Sequence, residues 1–252
     1  MKNQILISIY ITNYNYGRYI DQAIKSVLKQ TYKKTELIII DDDSKDNSKK
    51  ILKKYEGNNR VLIINNKKNL GLIKSSKIAI KATRGHFFLR LDADDYLHPN
   101  ALSNMIKIIK KKRDTALIFP NYYIFKNNSK KLKLMKYKNK TNYGINDTVA
   151  HGACSLINKK IYNKLGGYNI RFDRQDGYFL WLALSLNNYK IIHCNQPLFF
   201  YRKHSKSLST NTLKLLKSRL KIINFFSKKN KKYKNLLLSN KKETITKIKK
   251  LI

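Results

Sequence analysis

Cysteine is nearly absent: Cys154 and Cys194 are the only two in 252 residues. They exclude a disulfide framework and a cysteine-rich zinc site, and are expected as small buried residues in a reducing compartment. Long apolar runs are missing too, none nearing the ~18 residues that a spanning helix needs. The charged start passes almost at once into Ile5–Ile11, too short for a signal-peptide core and cleavage site. A cytoplasmic protein, soluble or peripheral on the inner face of the cell membrane, is the expectation. Acidic residues are few, 15 against 54 Lys+Arg, for a net charge of +39. That imbalance suggests an anionic partner, either nucleic acid or a membrane surface. Arginine is scarce, however, and it is the residue suited to bidentate recognition of phosphates and bases. Abundant lysine, asparagine and isoleucine are also what an AT-rich genome yields without selection for binding. No internal repeat is evident, and a hydrophobic fraction of 42% can fill the core of one large α/β domain.

From Ile5 to about residue 120, strand and helix signals alternate. Ile5–Ile11 is a continuous apolar run fit for a strand buried on both faces. Ile20, Ala23, Ile24, Val27 and Leu28 follow at helical spacing. Glu36–Ile40 is a second strand and ends in Asp41-Asp42-Asp43-Ser44. Asp43 or Ser44 is expected to cap the next helix, which Asp46-Asn47-Ser48 opens and which runs to about Tyr55. Arg60–Asn65 reads as a third strand and Asn69-Leu70-Gly71 as a turn, with a helix then reaching Thr83 before Gly85. His86–Leu91 is a fourth strand leading into Asp92-Ala93-Asp94-Asp95, and Pro99 suits the first turn of another helix. Such repeats imply a Rossmann-like, mostly parallel sheet with helices on both faces. Ligands of these sheets bind beyond the carboxyl ends of the strands, where both acidic clusters fall.

Beyond Ile124 the pattern loosens. Lys126–Lys140 is a lysine-rich exposed hairpin or loop; helices are expected near Lys159–Leu165 and Gly177–Leu186, and short strands at Tyr189–His193 and Leu198–Tyr201. Between Leu213 and Phe226, Leu213, Leu216, Leu220 and Ile223 share a helical face with Leu215, Ile222 and Phe226, opposite Lys214, Lys217 and Lys221. This basic amphipathic helix either packs on the preceding domain or docks on an anionic membrane. The expected division is 1–205 as one α/β domain whose two halves meet near 120, and 206–252 as the basic helical appendage.

An Asp-x-Asp at a strand end is a rigid mount for a divalent cation. Magnesium-like ions take one or two protein carboxylates and complete their shell with phosphate and water, and such an ion stabilises a departing diphosphate as a Lewis acid. Asp92-Ala93-Asp94 has that form. The Asp41–Asp43 cluster offers carboxylates to a base N–H or a ribose hydroxyl.

The ordered set of motifs resembles glycosyltransferase family 2, of GT-A type, which includes bacterial surface-polysaccharide glycosyltransferases. It comprises Ser8–Asn15, Ser26–Tyr32, Leu37–Ser44, Asn69–Leu72, Arg84-Gly85, Asp92–Asp95, Leu165–Tyr168, Gln175–Leu182 and Pro197–Arg202, and covers roughly residues 5–205. The resemblance implies a GT-A fold and an inverting, metal-dependent transfer from a nucleotide sugar, by default a UDP-sugar, to an acceptor hydroxyl of a glycan or lipid-linked glycan. It places Thr12 and Tyr14 against the nucleoside, Asp42 on the base, Asp92 by the ribose and sugar, and Asp94 on Mg2+ or Mn2+. Asp176 matches the general base, and His204 the histidine that approaches the metal or diphosphate. His151 falls where the family lines its acceptor side, and Trp181 is either a core or an acceptor-wall aromatic. The chain departs from common family residues at Ser76-Lys77, Ala79, Gln175 and Phe179, which bears on the donor sugar and acceptor geometry. Alternatives are a basic nucleic-acid-binding protein, for which no RNA-binding signature is present, and a non-catalytic scaffold of the same fold.

Overall fold

A computed structural model describes residues 5–127, 131–137, 152–172, 175–205, 211–229 and 231–252. Strands β1 (Ile7–Asn13), β2 (Thr35–Asp41), β3 (Val61–Asn65) and β4 (Phe87–Arg90) alternate with helices α1 (Gly17–Leu28), α2 (Ser48–Lys53) and α3 (Leu72–Ala82). These strands lie in the order β3-β2-β1-β4, each parallel to its neighbour. The pleat sends Ile7, Ile9 and Ile11 of β1, with Leu37 and Ile39 of β2, into one core. Tyr10, Ile38 and Ile40 enter the core on the opposite face. Helix α1 and helix α4 (Ala101–Lys111) close the first core, and α3 closes the second. A strand buried on both sides must be apolar throughout, hence the unbroken runs in the sequence.

Past β4 the sheet becomes mixed. Strands β5 (Tyr96–Leu97), β6 (Thr115–Lys126), β7 (Lys133–Met135), β8 (Leu156–Asn158) and β9 (Lys190–Lys203) bring it to nine strands among the described residues. The order runs β3-β2-β1-β4-β8-β6-β9-β5, with β7 paired to β6. β8 is antiparallel to both β4 and β6, while β9 runs parallel to β6. β7, inside the Lys126–Lys140 stretch expected as a hairpin or loop, pairs antiparallel with Tyr122–Ile124 of β6, ahead of that stretch.

Several local expectations need correction. The two short C-terminal strands are one, β9, whose register against β6 shifts between Cys194 and Pro197, where proline cannot donate to the ladder. Helix α2 stops at Lys53 instead of Tyr55. Neither Asp43 nor Ser44 caps it: Asp43 pairs with Lys45, and Ser44 accepts from Asn13 and Asn15. The N-cap is Asn47, whose side chain makes no cap bond; Asp46, one residue earlier, accepts from the Ser48 amide at 2.9 Å and from the Gly17 amide at the start of α1 at 2.8 Å.

Helices α5 (Lys159–Lys164) and α6 (Asp176–Leu186) follow β8, and α7 (Thr212–Lys229) and α8 (Lys234–Lys249) end the chain. α6 is buried on every side, as an all-apolar helix requires. One flank joins the second core through Leu180, Trp181 and Leu184. The other carries Phe179, Leu182 and Leu186 against Ile222, Ile223 and Phe226 of α7 and Leu237 of α8. The apolar face of α7 is therefore used for packing. No described helix is long and apolar enough to cross a membrane.

A polar knot fixes the sheet at its amino edge. Ser8 Oγ donates to Glu36 Oε1 at 2.6 Å and accepts from the Gly85 amide at 2.8 Å. Glu36 also accepts from the Arg84 amide at 2.6 Å and guanidinium at 2.7 Å. A Cβ on Gly85 would lie 2.6 Å from Ser8 Oγ and 2.8 Å from the Leu6 carbonyl oxygen, so only glycine fits there. Burial pushes the Glu36 carboxyl up, but the bonds from Ser8 and Arg84 outweigh it and hold it below its usual range. A group with a depressed folded value stabilises fully above its unfolded value, about 4.3 for glutamate, and stops doing so as pH falls through the folded one. Glu36→Gln is expected to lower stability at pH 7 by about 1–3 kcal/mol. It should also shrink the loss of stability between neutral and acid pH, as read by urea unfolding; an unchanged acid dependence would contradict this.

Candidate active site

The carboxyl ends of β1, β2 and β4 open onto one edge, and the acidic residues gather there. Asp41 is structural: it accepts from Asn13 Nδ2 at 2.8 Å and the Ser44 amide at 3.2 Å, tying the ends of β1 and β2 together. Asp42 holds the turn before α3. Its carboxylate accepts from Asn66 Nδ2 at 2.7 Å and from the amides of Leu70 at 2.9 Å and Gly71 at 2.8 Å. Gly71 has φ +81°, which favours glycine at that turn. Beside them, Thr12 is half-buried and Tyr14 is 44% exposed. These residues form a shelf with an exposed ring at its rim.

The second cluster is held from above by the far end of the chain. Asp94 is only 9% exposed, and its Oδ2 lies 2.9 Å from His204 Nε2 across 110 residues of sequence. Arg202 makes that approach possible. Its amide donates to Asp95 Oδ1 at 2.8 Å and its Nε to the Asp94 carbonyl at 2.7 Å. Nη1 reaches Asn127 and Nη2 reaches Gln22, while the guanidinium lies 4.7 Å from the Tyr19 ring and 4.5 Å from Phe125. Two residues on, His204 stacks on Tyr19 at 5.4 Å and meets the edge of Tyr16 at 5.8 Å. Burial, then the charge of Asp92, pushes the Asp94 carboxyl up. Burial, then the charges of Asp94 and Asp92, pushes the Asp95 carboxyl up as well.

A divalent cation fits this chemistry. One carboxylate and one imidazole are acceptable donors to Mn2+ or Mg2+, with phosphate and water supplying the rest. A cation there would also relieve the repulsion that Asp94 feels from Asp92. Among the described residues no three His, Cys, Asp or Glu side chains converge on one point, so the protein alone builds no complete cage.

Asp176 opens α6 and is 6% exposed. The chain reaches it through Gln175, whose φ of 62° is left-handed. Behind it, Gly177 packs on Gly152 so tightly that a Cβ would sit 2.8 Å from the Gly152 Cα. Arg90, at the end of β4, donates Nη1 to Asp176 Oδ2 and brings Nε to 2.9 Å from Asp92 Oδ1. Burial opposes charge on this guanidinium, but Asp176 and then Asp92 outweigh it, so Arg90 stays charged.

The structure thus brings together Asp92, Asp94, His204 and Asp176, with Asp42, Thr12 and Tyr14 on the adjoining strand ends. Trp181 is 2% exposed and packs in the second core with its ring 4.5 Å from Phe119. His151 lies outside the described residues. Sequence reasoning missed Arg90 and gave Arg202 no role. The signal for Arg90 was present: an arginine inside the apolar run Phe87–Leu91 must be buried, and a buried charge needs a partner.

Sheet order and helix placement are those of the GT-A fold. The structure is similar to S. aureus TarS 1-349 in complex with UDP-GlcNAc, with a TM-score of 0.76 over 96% of this chain and 71% of that chain at 15% identity. It is likewise similar to the mannosyltransferase PcManGT from Pyrobaculum calidifontis in complex with GDP-Man and Mn2+, with a TM-score of 0.73 over 95% and 70% of the two chains at 11% identity. In sequence, the family model described as Glycosyl transferase family 2 matches residues 8–166. The chain is 32% identical over 214 residues to the Escherichia coli UDP-Glc:alpha-D-GlcNAc-diphosphoundecaprenol beta-1,3-glucosyltransferase WfaP, covering 84% of this chain and 82% of that one. It is 30% identical over 222 residues to the E. coli enzyme of the same description WfgD, covering 88% and 86%. The chain belongs to glycosyl transferase family 2 and is a glycosyltransferase. The nucleic-acid-binding and scaffold alternatives give way to this.

Arg202 generates a prediction. Lysine at this position cannot bond the Asp94 carbonyl, Asn127 and Gln22 at once. Arg202→Lys should cost about 2–3 kcal/mol in urea unfolding. Unchanged stability would show that the guanidinium contacts are not what holds β9 on the Asp94 loop.

Proposed function

We propose that the chain transfers a sugar from a UDP-sugar to a hydroxyl of a lipid-linked glycan, inverting the anomeric centre, with a divalent cation at the diphosphate. One observation carries the reading: the Asp94–His204 pair and the Arg90-linked Asp92 and Asp176 share one edge of the sheet. UDP-glucose and a GlcNAc-diphospho-lipid are the first donor and acceptor to try, because two relatives covered over most of their length carry those substrates in their names.

In this reading the nucleoside lies on the Thr12, Tyr14 and Asp42 shelf. The Asp42 carboxylate already serves the Leu70 and Gly71 amides, so it would meet the base as part of a rigid turn. Asp92 faces the ribose and sugar. Asp94 and His204 would hold the metal, whose contribution is Lewis-acid stabilisation of the departing diphosphate. Asp176 accepts the proton of the acceptor hydroxyl as that oxygen attacks the anomeric carbon from the face opposite the nucleotide. A single displacement of this kind inverts the configuration, and the carboxylate contributes by geometry and charge. Its place at the first position of α6 keeps it on a rigid element.

Thermal unfolding against UDP, GDP, CMP and dTDP, each with and without Mn2+, tests the donor site. A shift for UDP that needs both Mn2+ and Asp94 is expected, since a ligand stabilises the state that binds it. Equal, metal-independent shifts for all four would mean that net charge alone attracts phosphate. Asp94→Ala should abolish metal-dependent turnover. Asp176→Asn should keep donor binding and lose at least ~100-fold in kcat, and a wild-type rate in that variant would refute the base assignment.

A further inference from the structure

Arg90 is the only described side chain that touches both the donor-side carboxylate Asp92 and the acceptor-side carboxylate Asp176. The two contacts differ in kind. Nη1 makes a hydrogen bond to Asp176 Oδ2, whereas Nε lies 2.9 Å from Asp92 Oδ1 without aiming its N–H at that oxygen. The first contact is directional and the second is Coulombic. The guanidinium itself has little freedom. Its side chain is 7% exposed, and Nη2 lies beside Gly152, 3.4 Å from where a Cβ there would be. The Arg90 carbonyl is tied as well, accepting from the Cys154 amide at 2.7 Å. Tyr10 and Tyr168, both fully buried, complete the wall around Arg90 and Asp176.

Such a group acts as a spacer of fixed length. An in-line displacement requires the base, the attacking oxygen and the anomeric carbon to keep one separation, and a misplacement of about 1 Å costs on the order of 100-fold. We propose that Arg90 is a positioning residue for the transfer: its guanidinium fixes Asp176 by a directional bond and draws Asp92 toward the same point, setting the distance between base and donor. Asp176 is the fixed end and Asp92 the adjustable one, so a donor can be seated without moving the base. Asp176 Oδ1 stays outside the pair with Arg90. This proposal rests on the reading of Asp176 as the base.

The test uses the full chain, with UDP-glucose, Mn2+ and a GlcNAc-diphospho-lipid acceptor, following UDP release. Arg90→Lys keeps the charge and loses the two-point grip. It is expected to lower kcat at least ~10-fold while the KM for UDP-glucose and the Mn2+-dependent thermal shift with UDP stay within about threefold and a degree or two of wild type. A smaller loss in kcat, or a loss confined to donor KM, overturns the proposal. Arg90→Met alone risks the fold, because it strands Asp176 without its cation. The comparison is therefore also made between Asp176→Asn and the double variant Arg90→Met/Asp176→Asn, which strands no charge at the base. If Arg90 works through Asp176, the second change costs less than about threefold further in kcat; a larger further loss sinks the proposal. Asp176→Asn alone separates the two readings. A wild-type rate there removes the base assignment and this inference with it, whereas a slow Asp176→Asn beside an unaffected Arg90→Lys removes only the spacer.

Discussion

Gathering carboxylates at one edge of a buried sheet creates a charge problem, and much of the architecture is arranged around its solution. Asp94, Asp95 and Asp176 are buried there and Asp92 is partly so. There, like charges a few ångströms apart repel far more strongly than they would in solvent. The surface lysines do not help, since their charge is screened within about 8–10 Å. Two buried arginines do the work. Arg90 rises from the sheet between Asp92 and Asp176, and Arg202 closes from the last strand, its guanidinium on the Asp94 carbonyl and its main-chain amide on the Asp95 side chain. Arginine suits both places because its planar fork serves several acceptors and its charge survives burial. Asp94 has His204 beside it, and burial with neighbouring carboxylates still pushes both the Asp94 and Asp95 carboxyls up.

The two arginines also divide the structure. Arg90 belongs to the parallel half, where β1, β2 and β4 are apolar on both faces and leave only their ends for polar chemistry. Arg202 belongs to β9, which runs parallel to β6 and reaches the Asp94 loop from the other side. The site is a seam between a locally built βαβ half and a strand that arrives more than a hundred residues later. Asp94 meets His204 across that seam, while Arg90 reaches Asp176 at the head of α6.

That seam explains what the sequence disclosed and what it concealed. The parallel half was legible because its strands are compact apolar runs, two of which (β2 and β4) lead into acidic clusters, and because its helices repeat on a 3.6-residue period. Asp92, Asp94 and Asp176 were found by spacing and by likeness to a family. β6 and β8 were not resolved, since β8 is only three residues long and its antiparallel pairing between β4 and β6 has no local signature. β9 was split in two because Pro197 and its neighbours interrupt the pattern while the pairing continues beyond them. Asp43 and Ser44 were misassigned as caps because short polar side chains bond backbone readily in several ways. Here the Asn13–Asp41–Ser44 bonds, which join two strands, take precedence over the helix start.

Helix α6 carries Asp176 at its tip and is greasy all the way round, which makes the final two helices something other than a tail. Ile222, Ile223, Phe226 and Leu237 cover the flank that the sheet leaves bare. Each such side chain, fully buried, contributes about 1.5–3 kcal/mol. Their sum rivals the whole net stability of an ordinary domain, about 5–15 kcal/mol. The change in composition near residue 205 is therefore no seam along which the molecule can be cut. A version ending there would present Phe179, Leu182 and Leu186 to water as a sticky ridge, and the residue it would loosen first is the one at the head of that helix.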